Sequence, residues 1–217
     1  MPFTVYDCRE DIRNILVTPQ IRARFCRLEP GSGSLDFGHT HDLGHEIFII
    51  LEGRVEFQIS GHVNELGPGQ MCYALVDEPH SVRVISEEPV LMYLSVTPHI
   101  QPTHTFYDND RNRLPPHFRP SSDYNTETDS ITSVDDLIDQ HTETARVLLD
   151  RAKENLAIQE EKGALLKQAL ASANLGEASD LREAMWTPQL DLFKQMHAIA
   201  ELWNAVAPRA GSINAHY

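Results

Sequence analysis

The sequence predicts a mainly β domain followed by an α-helical extension, and three observations carry that prediction. Between residues 21 and 97, apolar runs of strand length recur with Gly and Pro punctuation about every 8 to 12 residues, the pattern of an all-β sandwich or barrel. From residue 99 to 130 no period is visible, and Pro102, Pro115, Pro116 and Pro120 stand among many Asn, Asp, Ser and Thr residues. From Ser133 onward the apolar residues return at helical spacing. The 217 residues therefore divide into a β-barrel over 1–98 (core 20–97), an irregular linker or covering loop over 99–130, and a helical hairpin over 131–217.

The β region opens with IRARFCRL and a turn cluster, EPGSGS. EIFIIL runs into a turn at Glu52-Gly53, and RVEFQI then alternates polar with apolar residues. SGHVNELGPG reads as turn, and MCYALV, SVRVI and VLMYLSV as further strands. In the aperiodic segment, Phe106, Tyr107, Phe118 and Tyr124 imply that part of it packs onto something. Ser133 and Asp136 resemble a capping box with Asp in the Glu place. Leu137, Ile138, Ala145, Leu148, Leu149, Ala152, Leu156, Leu166, Leu170 and Ala173 form one stripe at roughly heptad spacing. A helix from Val134 to Asn174 would be about 60 Å long, with Gly163 as a bend or break and Asn174-Leu175-Gly176 as its stop. A second helix is expected from near Glu177, interrupted or kinked at Pro188 and ended before Pro208. Its apolar residues include Leu181, Met185, Leu192, Met196, Ile199, Leu202, Trp203 and Val206. So long a hairpin overhangs a small barrel, which predicts a homo-oligomer, a dimer first; the alternative is a hairpin packed along its own barrel.

Composition bounds the partners. A formal net charge of −14 and a pI of about 5.1 repel phosphate backbones and anionic membrane surfaces, so nucleic acid and membrane are not expected as partners. No apolar run approaches the roughly 20 residues that span a bilayer. MPFTVYDCREDIRN lacks the basic-then-apolar order of a secretory signal. Cys8, Cys26 and Cys72 have no CxxC spacing and read as small half-buried hydrophobes in a reducing cytoplasm.

HTHDLGHEIFIILEG, residues 39 to 53, carries the chemistry. Residues two apart on a strand share a face, so His39 and His41 point the same way. Asp42-Leu43-Gly44 supplies a turn, and Glu46 re-enters on that face with Phe48 and Ile50. His45, Ile47, Ile49 and Leu51 then face outward, an apolar stripe to be covered by a subunit or by the hairpin. His80 offers closure from another strand, with Val82 and Val84 on its face. Three imidazoles and a carboxylate suit Fe, Mn, Ni, Co, Cu or Zn as divalent ions and do not suit calcium or magnesium.

These residues resemble the two motifs of the cupin superfamily. The first is HxH, three or four residues, Glu, six residues, Gly; His39, His41, Glu46 and Gly53 match it, and Gly33 matches the glycine that precedes it. The second is Gly, five residues, Pro, one residue, Gly, two residues, His; Gly69 and His80 match, while Leu75 and Asp77 replace the proline and glycine and Val84 the terminal asparagine. The departures concern backbone turns more than the metal. The resemblance implies a double-stranded β-helix, or jelly-roll barrel, holding one divalent transition metal on His39, His41, Glu46 and His80. On a six-coordinate metal, two positions remain for water, dioxygen or a chelating substrate. The expected function is action on a small molecule as a non-haem metal-dependent oxidoreductase of dioxygenase type, with Glu46 also the base. The alternatives are a non-catalytic metal- or ligand-binding module and a metal-dependent isomerase.

Phe37, Phe48, Tyr73 and Met92 are the expected pocket wall, with one of Cys72 and Tyr73 pointing inward. His45 reads as a surface or interface residue, His62 as solvent-facing, and His99, His104 and His117 as ordinary loop histidines. Arg22, Arg24 and Arg27 alternate along the first barrel strand; an inward one would grip a substrate carboxylate, but a surface position is the default. No Ser-His-Asp order, phosphate-binding glycine loop or dinucleotide fingerprint appears.

Overall fold

The structure, a computed structural model, describes residues 3–127, 129 and 131–210. Two compact units divide the chain, one holding the strands and running to Asp129, the other holding the helices and running to Val206.

The first unit contains β1 (Asn14–Val17), β2 (Arg22–Leu28), β3 (His45–Glu52), β4 (Val55–Ile59), β5 (His62–Leu66), β6 (Met71–Ala74), β7 (His80–Val84) and β8 (Val90–Thr97). All pairings are antiparallel, in a five-stranded sheet ordered β1-β2-β8-β3-β6 and a three-stranded sheet ordered β5-β4-β7. Alternation does the sorting. Glu46, Phe48 and Ile50 of β3 are buried while His45 and Ile47 are exposed, because a strand with one wetted face sends alternate side chains to water. Phe48, Ile50, Val55, Phe57, Val84 and Met92 belong to one core between the sheets. Outside, Ile47, Met71 and Tyr73 of β3 and β6 remain exposed.

Two strands lie where the sequence reading had none. β5 was expected to be turn: only its last residue, Leu66, is buried, so this edge strand has no apolar alternation to betray it. β1 is four residues of the outer edge, too short to show a period.

Residues 99–127 belong to the first unit and are tied into it by hydrogen bonds. Thr40 and Thr105 exchange backbone hydrogen bonds of 3.0 and 2.8 Å, and Asn14 donates its backbone N–H to Asn125 Oδ1 at 3.0 Å. A single 3-10 turn, Ser121–Tyr124, buries Tyr124. The expected aromatic anchors sort unevenly: Tyr107 meets Phe37 edge-on at 4.9 Å and Phe106 stacks on His104, whereas Phe118 is partly exposed.

The second unit contains most of the two long helices, α1 (Val134–Ala171) and α2 (Leu175–Ala210). Ser133 caps α1, its Oγ accepting from Asp136 N at 3.0 Å. Gly163 passes without a break. α2 also continues through Pro188 and Pro208, against an interruption at the first, where a kink was the other expectation, and against the expected stop before the second. One proline removes one backbone bond from a helix of 36 residues, and α1 supports the neighbourhood of Pro188: Gln159 Nε2 donates to Met185 O at 2.9 Å and Asn155 Nδ2 to Gln189 Oε1 at 3.1 Å. Among the described residues, no helix is long and apolar enough to cross a membrane.

The end of α1 corrects another expectation. Asn174 N donates to Ala169 O at 2.9 Å and Ala173 N to Leu170 O at 3.1 Å, a Schellman ending with Ala173 left-handed at φ 56°. Asn174 therefore starts α2 rather than stopping α1, its Oδ1 accepting from Glu177 N at 3.3 Å. The left-handed region costs a residue with a Cβ about 1–2 kcal/mol. Ala173→Gly is expected to raise stability by about 1 kcal/mol. Both tryptophans, Trp186 and Trp203, lie on α2, so a denaturation curve followed by tryptophan fluorescence reads this helix. An unchanged or lower midpoint would remove the strain argument.

Candidate metal centre

The sheet registers assemble the site row by row. Arg22 lies opposite Val96, and Val96 opposite Glu46, so β2, β8 and β3 place Arg22 and Glu46 on one inner row. The next row holds Arg24, Leu94, Phe48 and Cys72. From the other sheet, His80 at the start of β7 lies opposite Ile59.

His39 and His41 arrive on the segment before β3. His80 N donates to His39 O at 3.0 Å and His39 N to His80 O at 3.3 Å, while Thr40 pairs with Thr105 on the other side. This close approach needs Gly38, whose φ is +68° and where an added Cβ would lie 1.9 Å from His80 O. Asp77 stands where the cupin motif has glycine and keeps the left-handed turn at φ 63°, which a short polar side chain tolerates.

One donor atom from each of His39, His41, Glu46 and His80 lies within 4.8 Å of the others. Glu46 Oε2 is 2.9 Å from both His41 Nε2 and His80 Nε2, and 3.9 Å from His39 Nε2. The backbone presets two imidazoles, since His41 Nδ1 bonds Thr103 O and His80 Nδ1 bonds Glu78 O at 2.9 Å. With the Nδ1 hydrogens donated to carbonyls, the Nε2 atoms turn to the centre: a protonated ring donates from Nε2 to Glu46, and a neutral ring offers its Nε2 lone pair there. His39 Nε2 is buried without a hydrogen-bond partner. Lone pairs and a carboxylate thus converge on one point, an arrangement that demands positive charge. A proton on His80 answers part of that demand; a divalent cation answers it at every donor.

Charge states follow from the surroundings. Burial works against charge on Glu46, but hydrogen bonds to His41 and His80 prevail and hold its carboxyl well below the usual range. Burial also works against charge on His80, yet its hydrogen bond to Glu46 raises it. Burial pushes His39 down to about 3 and His104 down to about 2, so both stay neutral.

A cavity of ≈ 330 Å³ opens on the cluster. His39, Glu46 and His80 line it together with Phe48, Phe57, Met92 and Leu94. Of the expected pocket wall, Phe48 and Met92 face this space, and Phe37 and Tyr73 do not. Phe37 packs against Tyr107 and beneath Arg111, whose guanidinium lies 5.0 Å from the ring centre. Tyr73 lies opposite Ile47 on the outer face and is 57% exposed, because Cys72 takes the inward phase opposite Phe48. His45 and His62 are on the surface, as is His117.

Three further groups were not expected here. His104 packs 4.7 Å from His39 and 4.8 Å from His41, centre to centre, and lines the cavity. His99 is buried edge-on against Tyr124. Both come from an aperiodic segment, which carries no signal of facing. Arg22, given a surface position by default, is buried. It shares the phase of Cys26 and Leu28 on β2, and that apolar pair was the available clue.

A Cupin domain family model matches residues 24–97. Among solved structures, the chain is similar to an uncharacterized conserved protein with a double-stranded beta-helix domain from Klebsiella pneumoniae, at 20% identity over 45% of this chain and 91% of that one, TM-score 0.41. It is similar to a cupin protein from Bacteroides fragilis, at 22% identity over 45% and 83%, TM-score 0.38. It is also similar to a sugar phosphate isomerase from a cupin superfamily of Silicibacter pomeroyi, at 25% identity over 42% and 57%, TM-score 0.36. No curated protein matches.

Proposed function

With residues 24–97 forming a cupin domain, we propose that the chain holds one divalent transition metal (Fe, Mn, Ni, Co, Cu or Zn) on His39, His41, Glu46 and His80. It acts on a small molecule in the adjoining cavity as an oxidoreductase of dioxygenase type. The observation that carries the reading is the convergence of four donor atoms within 4.8 Å beside that cavity. When bound, the metal would supply Lewis-acid activation, and a redox-active one (Fe, Mn, Ni, Co or Cu) would also supply electron exchange with dioxygen.

The chain's own residues do the rest. Thr103 O and Glu78 O orient His41 and His80 as neutral ligands. Phe48, Phe57, Met92 and Leu94 keep one side of the cavity apolar and exclude water from it. Glu46 directs Oε2 to the histidines and Oε1 toward Arg22. Oε1 is therefore the atom that takes a proton from a substrate bound there.

The test is oxygen uptake by anaerobically metal-loaded protein on addition of small enolisable and aromatic acids. Uptake is expected with the parent and is expected to fall by about 100-fold or more in Glu46→Gln, which loses a ligand and a base. Turnover without oxygen consumption would make the protein an isomerase. Binding with no turnover would make it a ligand-binding module, and either result overturns the dioxygenase reading.

A further inference from the structure

Resting on the reading of this cavity as a substrate site, we propose that Arg22, assisted by Arg24, is its carboxylate anchor. The substrate is then a small organic acid with an apolar body and a second oxygen beside the carboxylate.

Arg22 is 5% exposed, and its Nε is buried without a hydrogen-bond partner. Removing a guanidinium from water costs several kcal/mol unless charge-assisted hydrogen bonds replace the lost ones. The carboxylate within reach is that of Glu46, and Arg22 Nη2 stops 3.8 Å short of its Oε1, beyond hydrogen-bonding distance. Glu46 already engages His41 and His80 at 2.9 Å. Tyr124, with its ring centre 5.6 Å from the guanidinium, offsets the burial only in part. Arg24 repeats the feature on the same face, its Nε also buried without a partner. Both line the cavity, and Arg119 lines it as well, 3.4 Å from Asp123. Three arginines around one small cavity, in a chain of net charge −14, set a local field opposite to the whole.

Geometry selects the anion. A guanidinium fork matches a planar carboxylate with two parallel bonds. The apolar wall of Phe48, Phe57, Met92 and Leu94 offers an inorganic phosphate nothing and an organic body its surface. An acid held on Arg22 lies beside Glu46, so an oxygen adjacent to its carboxylate falls next to the donor cluster.

The experiment is calorimetric titration of the 217-residue chain, loaded with Mn(II) under anaerobic conditions, with phenylpyruvate, its methyl ester and inorganic phosphate. The acid is expected to bind roughly tenfold or more tighter than the ester, and phosphate more weakly than the acid. Arg22→Gln is expected to abolish that preference, leaving ester affinity and manganese content unchanged; a residue that merely positioned Glu46 would move the metal content instead. Arg24→Gln is expected to lower the preference in the same direction, and it carries the test if Arg22→Gln does not fold. Equal affinity for acid and ester, tighter binding of phosphate, no binding of the acid, or a preference that survives in the variants would overturn the proposal. The titration is repeated on metal-stripped protein. A preserved acid preference with failed metal loading sinks the metal-enzyme reading alone, and a lost preference with normal loading sinks this one alone.

Discussion

Protein purified anaerobically without a histidine tag is expected to carry about one equivalent of a divalent transition metal, and the His39→Ala/His41→Ala variant none. The geometry is close to closure. Metal–donor bonds of about 2.1 Å separate opposite donors by about 4.2 Å, and the four donor atoms already lie within 4.8 Å of one another. Shifts of a few tenths of an ångström complete the site. Loss of one supporting residue typically costs about 10–100-fold in affinity, and this variant removes two of the four proposed ligands. Loading is also expected to weaken as the pH falls. The hydrogen bond to Glu46 raises the affinity of His80 for its proton, which competes for the same Nε2. His39, pushed down to about 3, does not compete near neutrality. Elemental analysis across pH reads both effects. No metal in the parent after reconstitution would leave a cupin scaffold with a polar, metal-free site.

Gly38→Ala is expected to cost the β unit about 2–5 kcal/mol and to lose the metal with it. Two terms add. Any Cβ at φ +68° costs about 1–2 kcal/mol. The steric term is added because the new atom would lie 1.9 Å from His80 O and 2.6 Å from its carbonyl carbon, both backbone; overpacking typically costs about 1–3 kcal/mol. The pairing that must open to relieve it is the one that holds His39 against His80. Gly61→Ala is the control. Its φ is +82° and nothing lies within 4 Å of the added atom, so it should show the conformational term and keep the metal. Chemical denaturation by circular dichroism, with metal content measured on the same samples, separates the two. Equal losses in both variants would show that the contact with His80 does not hold the site.

The cupin fold and the four-residue cluster were legible for local reasons. Strand alternation is a two-residue property, so His39 with His41 and Glu46 with Phe48 share faces wherever the strand lies. The motif spacing supplied His80, and Asp77 retains the backbone turn that its missing glycine would have made. The helical unit was legible for the same reason, since a stripe at helical spacing is written along one segment. Where the sequence misled, local signals competed with long helices: Pro188 and Pro208 are breakers by propensity, and α2 runs through both.

What only the tertiary structure decided is phase and closure. Arg22, Arg24 and Arg27 alternate by themselves, but which of them faces inward depends on β8 pairing Arg22 with Val96 and Val96 with Glu46. The same dependence turned Tyr73 outward when Cys72 met Phe48. A one-residue slip in register would reverse every one of these assignments, and register is set by partners distant in the chain. His104 and Tyr124 came from a segment with no period at all, whose position follows from Thr40 pairing with Thr105 and from Asn14 meeting Asn125. The sequence by itself therefore determined which three imidazoles and one carboxylate come together in one cluster. The long-range pairings decided which charges stand around them, and those charges bear on what the site will accept.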